Sequence, residues 1–148
     1  MSSPLLVESE TELAQIVRSA RVVAVVGMKD GSDPHAPAYT IPRMLQMRGI
    51  RVLPINPKFA EIRGERVYPD VAALPERPDI LDVFRRSEAI PALVDEVLAL
   101  PAEKRPSVFW MQTGIRNEAA AAKLNAAGIR VVMDHCLGVY SSRYRTRG

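Results

Sequence analysis

Arg21-Val22-Val23-Ala24-Val25-Val26-Gly27 is the stretch that decides the fold. A continuous apolar, β-branched run ending in glycine reads as a strand buried on both faces, the central position of a parallel sheet. Just upstream, Ser9-Glu10-Thr11-Glu12 has the form of a capping box, with the serine capping the N–H of Glu12. Leu13, Ile16, Val17 and Ala20 follow at helical spacing, so an amphipathic helix is predicted over Glu10–Ser19. Just downstream, a loop rich in Gly, Asp and Pro runs from Met28 to Pro37. Ile41, Met44, Leu45 and Arg48 then lie on a helix closed by Gly49, with Pro42 expected in its first turn, where a missing N–H is harmless.

The pattern repeats along the chain. Residues 50–55 form a second apolar run, in which Pro54 argues for a strand end or a sheet edge. Residues 80–84, 108–111 and 129–133 read as three more strands. Between them lie a short helix over residues 70–74, one capped by Ser87 and running to Leu98, and an alanine-rich one capped by Asn117 and closed by Gly128. Strands alternating with helices imply parallel strands joined by right-handed crossovers. The expected fold is α/β, a Rossmann-like doubly wound sheet of about five parallel strands preceded by an N-terminal helix. Ligands of such sheets bind beyond the carboxyl ends of the strands. The functional map therefore reduces to the loops after Val26, Ile55, Val83, Met111 and Met133.

A chain of 148 residues is the size of one domain, so residues 1–148 are read as a single unit, with 141–148 as a basic tail. Arg143, Arg145 and Arg147 in that tail are expected to be solvated and disordered. The formal net charge of +3 suits an anionic small ligand as well as nucleic acid and does not choose between them. A single cysteine, Cys136, excludes an internal disulfide framework and points to a reducing compartment, so a cytoplasmic location is expected. The first ten residues lack the features of a signal peptide, and no apolar run is long enough to span a bilayer.

Gly27 sits where a backbone can approach a phosphate with no Cβ in the way, before a helix start whose free N–H groups favour anions. The dinucleotide fingerprint G-x-G-x-x-G fails, because Lys29 and Ser32 stand where its second and third glycines belong. The phosphate-loop pattern ending in Gly-Lys-Ser/Thr is also missing, and Asn56 replaces the acid that would hold an NAD ribose. Cations recur at the strand ends instead: Lys29, Lys58, Arg85 and Arg86. Positive charge on three loops facing one crevice fits a ligand with several phosphates.

Five blocks in order carry a family resemblance: V-V-A-V-V-G at 22–27, G-I-R-V-L-P-I-N-P-K at 49–58, D-V-F-R-R-S at 82–87, W-M-Q-T-G-I-R-N-E-A at 110–119 and A-G-I-R-V-V-M-D-H-C-L at 127–137. The chain resembles the stand-alone CoA-binding domain proteins and, more distantly, the nucleotide-binding domain of the succinyl-CoA synthetase alpha subunit. The resemblance implies a coenzyme A site. By it, Gly27, Met28 and Lys29 would line the phosphate loop. Lys58, in the Asn56-Pro57-Lys58 turn, would pair with a CoA phosphate. Val83, Phe84 and Arg85 would flank the adenosine, and Met111, Gln112 and Thr113 the pantetheine. Two residues depart from the family pattern: Lys29 replaces a small hydroxyl residue, and His135 replaces an arginine.

Asp134-His135-Cys136 is the only stretch that suggests a nucleophile. Adjacent side chains on an extended strand point to opposite faces, so His135 and Cys136 are not expected to pair if the strand continues through them, and Cys136 is read as buried or redox-silent. Two distant histidines, His35 and His135, give no metal-ligand spacing. The phosphorylated histidine of the synthetase lies in a second domain that this length does not accommodate. The expectation is a protein that binds CoA or an acyl-CoA without catalysis, with a protein partner possible and neither membrane nor nucleic acid involved. The alternatives are a small NAD(P)-binding oxidoreductase and a nucleotide-sensing regulator.

Overall fold

The structure is a computed structural model and describes residues 5–145. In chain order its strands are β1 (Val22–Val26), β2 (Arg51–Ile55), the short hairpin β3 (Glu61–Ile62) and β4 (Glu65–Arg66), β5 (Ile80–Val83), β6 (Val108–Met111) and β7 (Arg130–Val132). Its helices are α1 (Glu10–Ser19), α2 (Pro37–Met47), α3 (Ile90–Leu98), α4 (Glu118–Ala126) and α5 (Leu137–Tyr144). Five strands form one parallel sheet in the order β2-β1-β5-β6-β7. The chain leaves β1 to one side for β2 and returns to its other side for β5, so the topological switch point lies between β1 and β5.

The doubly wound arrangement explains the unbroken apolar run of β1. Val23 and Val25 pack into one cluster with residues of α1, α2 and α5, while Ala24 and Val26 pack into the other with residues of α3 and α4. Both faces are covered, and Val23 to Val26 are accordingly buried and apolar. The two sheet edges are closed locally. At β2, Pro54 lacks a donor, and its carbonyl accepts from the Tyr68 amide at 2.9 Å. At β7, Val131 exchanges bonds of 2.8 and 2.9 Å with Val7 and Leu5.

Several local expectations hold. The first helix spans Glu10–Ser19, with Ser9 Oγ accepting from the Glu12 amide at 3.2 Å. Asn117 caps α4 through the Ala120 amide at 2.9 Å. Others need correction. Ser87 does not cap a helix: residues Ser87–Ala89 form a 3-10 turn ahead of α3, and Ser87 Oγ accepts from the Arg116 amide at 3.3 Å. Residues 70–74 contain a 3-10 turn, Val71–Ala73, capped by Asp70. Pro42 lies inside α2, beyond its first turn, because the helix already begins at Pro37.

The basic tail is the largest correction. Ser141 and Arg143 belong to α5, and Arg143 donates to Glu10 Oε1 at 2.8 Å. Arg145 reaches further: its guanidinium donates to the carbonyls of Val17, Ala20 and Arg48 at 2.9, 2.8 and 3.2 Å. These carbonyls lie at or just beyond the carboxyl ends of α1 and α2, where helices leave unpaired acceptors and partial negative charge. Arg147 lies outside the described residues.

Candidate functional site

A cleft of about 470 Å³ opens beyond the carboxyl ends of β1, β5 and β6. Its walls come from four separate stretches: Gly27 and Lys29 with Ala36 to Ala38 and Ile41, then Phe84 to Arg86, then Gln112, Thr113 and Ile115, and finally Cys136. A second groove, about 480 Å³, lies along the β2 edge between Gln46 and Tyr68. It is away from the strand ends and carries none of the sequence-derived site residues.

Gly27 has φ +85°, and a Cβ there would stand 2.6 Å from the carbonyl oxygen of Phe84. Only glycine meets both conditions, so the loops after β1 and β5 can touch at the switch point. The Gly27 amide donates to Ile55 O at 2.8 Å, and the Lys29 amide donates to Ala38 O at 3.1 Å. These two amides are therefore occupied in fixing the loop and are not its anion donors. At the start of α2, Pro37 has no N–H, and the amides of Tyr39 and Thr40 both bond to Ala36 O. The Ala38 amide is left as the open donor of that helix start, with no acidic residue in the first turn to compete for it.

Side-chain charge supplies the rest. Lys29 and Arg86 are exposed and Arg85 is half-buried, all three line the cleft, and none forms an ion pair among the described residues. Lys58 is exposed and does not line the cleft. Its turn is locked to the first loop by Asn56, whose Nδ2 donates to Met28 O at 3.0 Å while Oδ1 accepts the Lys58 amide at 2.9 Å. Asn56 is thus a buried structural clasp, Met28 is buried beneath the loop, and Pro57 lies exposed on the turn.

Of the residues expected at a site, the structure brings Gly27, Lys29, Phe84, Arg85, Arg86, Gln112 and Thr113 into this one cleft. Val83 and Met111 do not reach it. Both side chains are fully buried in the core beneath α3 and α4, on the opposite face from Asp82 and Trp110. Strand alternation sends them there. Ala36, Pro37, Ala38, Ile41, Ile115 and Cys136 also line the cleft, and sequence reasoning missed them. The loop 28–37 was read as a unit without a geometry, which hid the start of α2.

Gln112 connects the cleft to a buried carboxyl. Its Nε2 donates to Asp82 Oδ1 at 2.6 Å, while Asp82 Oδ2 has no hydrogen-bond partner among the described residues. Burial pushes the Asp82 carboxyl up to about 7, and the Gln112 bond only partly opposes this. Strand β7 ends at Val132, one residue short of the expected 133, and the chain then turns away ahead of His135. Asp134 turns at φ +61° and accepts from the Gly114 amide at 2.6 Å. His135 then stacks edge-on against Tyr140 at 5.5 Å, and half-buried Cys136 faces the cleft instead.

Fold and cleft together define a doubly wound α/β domain with an open cleft at its switch point. Residues 21–142 match the family model described as the CoA binding domain, and the chain belongs to that family. It is 33% identical over 131 residues to the uncharacterized protein YneT of Bacillus subtilis (strain 168), covering 88% of this chain and 93% of that one. A solved structure from Thermus thermophilus, cell-free ID.343, is 40% identical with a TM-score of 0.83, over 93% of this chain and 99% of that one. The apo dinucleotide-forming acetyl-coenzyme A synthetase 1 of Ca. Korarchaeum cryptofilum is 25% identical with a TM-score of 0.62. That match covers 80% of this chain and 27% of the synthetase. No helix among the described residues is long and apolar enough to cross a membrane.

Proposed function

We propose that this protein binds coenzyme A or an acyl-CoA in the cleft at the β1/β5 switch point, in the cytoplasm, and performs no catalysis of its own. The observation that carries the reading is the set of cations, Lys29, Arg85 and Arg86, without an ion pair among the described residues, around the glycine turn at Gly27, in a chain of the CoA binding domain family. The donor set suits the ligand. A pyrophosphate needs an open helix-start donor and uncompensated positive charge, and the Ala38 amide and the three cations supply both here. Lys29, Arg85 and Arg86 would hold the phosphates. Phe84 offers an apolar face to the adenine. Gln112, Thr113 and Ile115 would flank the pantetheine, which ends in a thiol.

The absence of catalysis is read from the cleft's side chains. Among the described residues no base is bonded to Cys136, since His135 turns away to Tyr140. A nucleophile needs such a partner. The test is calorimetric titration of the purified protein with CoA, acetyl-CoA, dephospho-CoA, NAD, NADP and ATP. CoA should bind, and Arg85→Ala should weaken it about ten-fold, the loss expected for one charge-assisted contact. Binding of NAD without CoA would overturn the reading.

A further inference from the structure

Outside the cleft, on the flank of α2, two arginines converge on one phenol. Arg43 NH1 donates to Tyr39 Oη at 3.1 Å, and Arg63 NH1 donates to the same oxygen at 2.8 Å. The two nitrogens are therefore within about 6 Å of each other, a separation at which like charges repel. Neither guanidinium forms an ion pair among the described residues, and both side chains are exposed. A neutral hydroxyl does not compensate two positive charges.

The way Arg63 is held sharpens the point. It precedes Gly64 in the two-residue turn of the β3–β4 hairpin, and both have positive φ, +54° and +81°. Such turns favour Asn, Asp or Gly at the first position, because a Cβ is strained in the left-handed region. Here an arginine accepts that strain and presents its guanidinium to Tyr39. The phenol is fixed in turn. A Cβ on Gly31, in the loop between β1 and α2, would lie 2.7 Å from the Tyr39 ring, so the ring packs directly under that loop. The Arg63 hydrogen bond, with the charge of Arg43, holds the Tyr39 hydroxyl below the ordinary phenol range.

We propose that Arg43, Arg63 and the Tyr39 hydroxyl form a phosphomonoester-binding site, in which one dianionic phosphate bridges the two guanidiniums. Planar guanidinium forks match phosphate oxygens, and a dianion removes the repulsion between them. The phosphate has two possible sources: the 3′-phosphate of a bound CoA, which rests on the CoA reading above, or a separate phosphate that does not.

Two measurements on the full-length protein separate them. The first follows the arginine Nε–Hε signals by NMR during titration with inorganic phosphate, against chloride at equal ionic strength. Arg43 and Arg63 should shift together with phosphate, and Arg63→Ala should abolish the shift of Arg43. The second compares CoA with dephospho-CoA by calorimetry. If the occupant is the 3′-phosphate, Arg63→Ala weakens CoA about ten-fold and leaves dephospho-CoA unchanged. If the occupant is a separate phosphate, both affinities stay as they were while the NMR response is lost. The proposal is overturned if phosphate moves neither signal and Arg63→Ala changes the two cofactors equally or not at all. A wild-type protein that answers to phosphate and ignores CoA would remove the cofactor reading and leave this site in place.

Discussion

The Lys29 amide donates to the Ala38 carbonyl at 3.1 Å, and it does so because Pro42, four residues on in α2, has no N–H to offer that carbonyl. A proline that looks like a fault in the helix is what ties the phosphate loop to it. Pro42→Ala supplies a competing helical donor. The expected result is a protein at least as stable to urea, with faster hydrogen exchange at the Lys29 amide and weaker CoA binding. An unchanged exchange rate at Lys29 would show that the loop does not depend on the proline.

Gly27 is the position least open to change. Alanine there faces both the left-handed backbone at φ +85° and the Phe84 oxygen at 2.6 Å. Gly27→Ala should cost about 2 kcal/mol or more of stability, and ligand affinity as well, since the two loops must part to admit the methyl group. Chemical denaturation and CoA titration of the same sample would check both.

Asp82 makes stability depend on pH. Its carboxyl titrates near 4 in the unfolded chain and at about 7 in the fold, so the native state holds the proton more tightly. The contribution is fully present below the unfolded value and is lost as pH rises through about 7. Wild type should therefore lose up to a few kcal/mol between about pH 4 and about pH 7, at about 1.4 kcal/mol per unit, with little further change above that. Asp82→Asn should flatten that slope, which denaturation curves across the range would reveal. Parallel slopes for the two proteins would place the titration elsewhere.

Arg145→Ala should destabilise the fold by about 1–3 kcal/mol, because it strips donors from helix-end carbonyls that are partly out of reach of water. Arg145→Lys should recover little, as a single ammonium does not span acceptors on two helices. Thermal unfolding followed by Trp110 fluorescence measures both, since Trp110 is the only tryptophan and is buried.

Cys136 gives a direct footprint of occupancy. It is the only cysteine, is half-buried and lines the cleft. Saturating CoA should slow its alkylation by iodoacetamide, read by mass spectrometry. Equal rates with and without CoA would place the cofactor outside this cleft.

What could be read from the residues alone follows the range of the interactions involved. Helix α1 was legible to its last residue because capping and spacing are local. Strand β1 was legible because burial on both faces leaves one composition. The β3–β4 hairpin was not, since two-residue strands have no periodicity to detect and Arg63 is the wrong residue for its turn. Helix α5 was hidden for another reason: Arg143 and Tyr144 find Glu10 across more than a hundred residues, and no window along the chain contains both. At the cleft, Lys29, Arg85, Arg86 and Gly27 were legible from their places at strand ends, whereas Lys58 stands outside the wall. The inward turn of Val83 and Met111 followed from strand alternation beside Asp82 and Gln112 and was overlooked. Cys136 entered the wall only because the chain reverses at Asp134.

The cleft is assembled from four stretches far apart in the chain, each held by its own strand end. A ligand touching all four becomes a further tether across the sheet, present only when occupied. At a hundred-fold excess over its dissociation constant it adds about 2.7 kcal/mol to the folded state by mass action. The melting temperature then climbs with ligand concentration, and in a cell the abundance of the protein would follow the supply of what it binds.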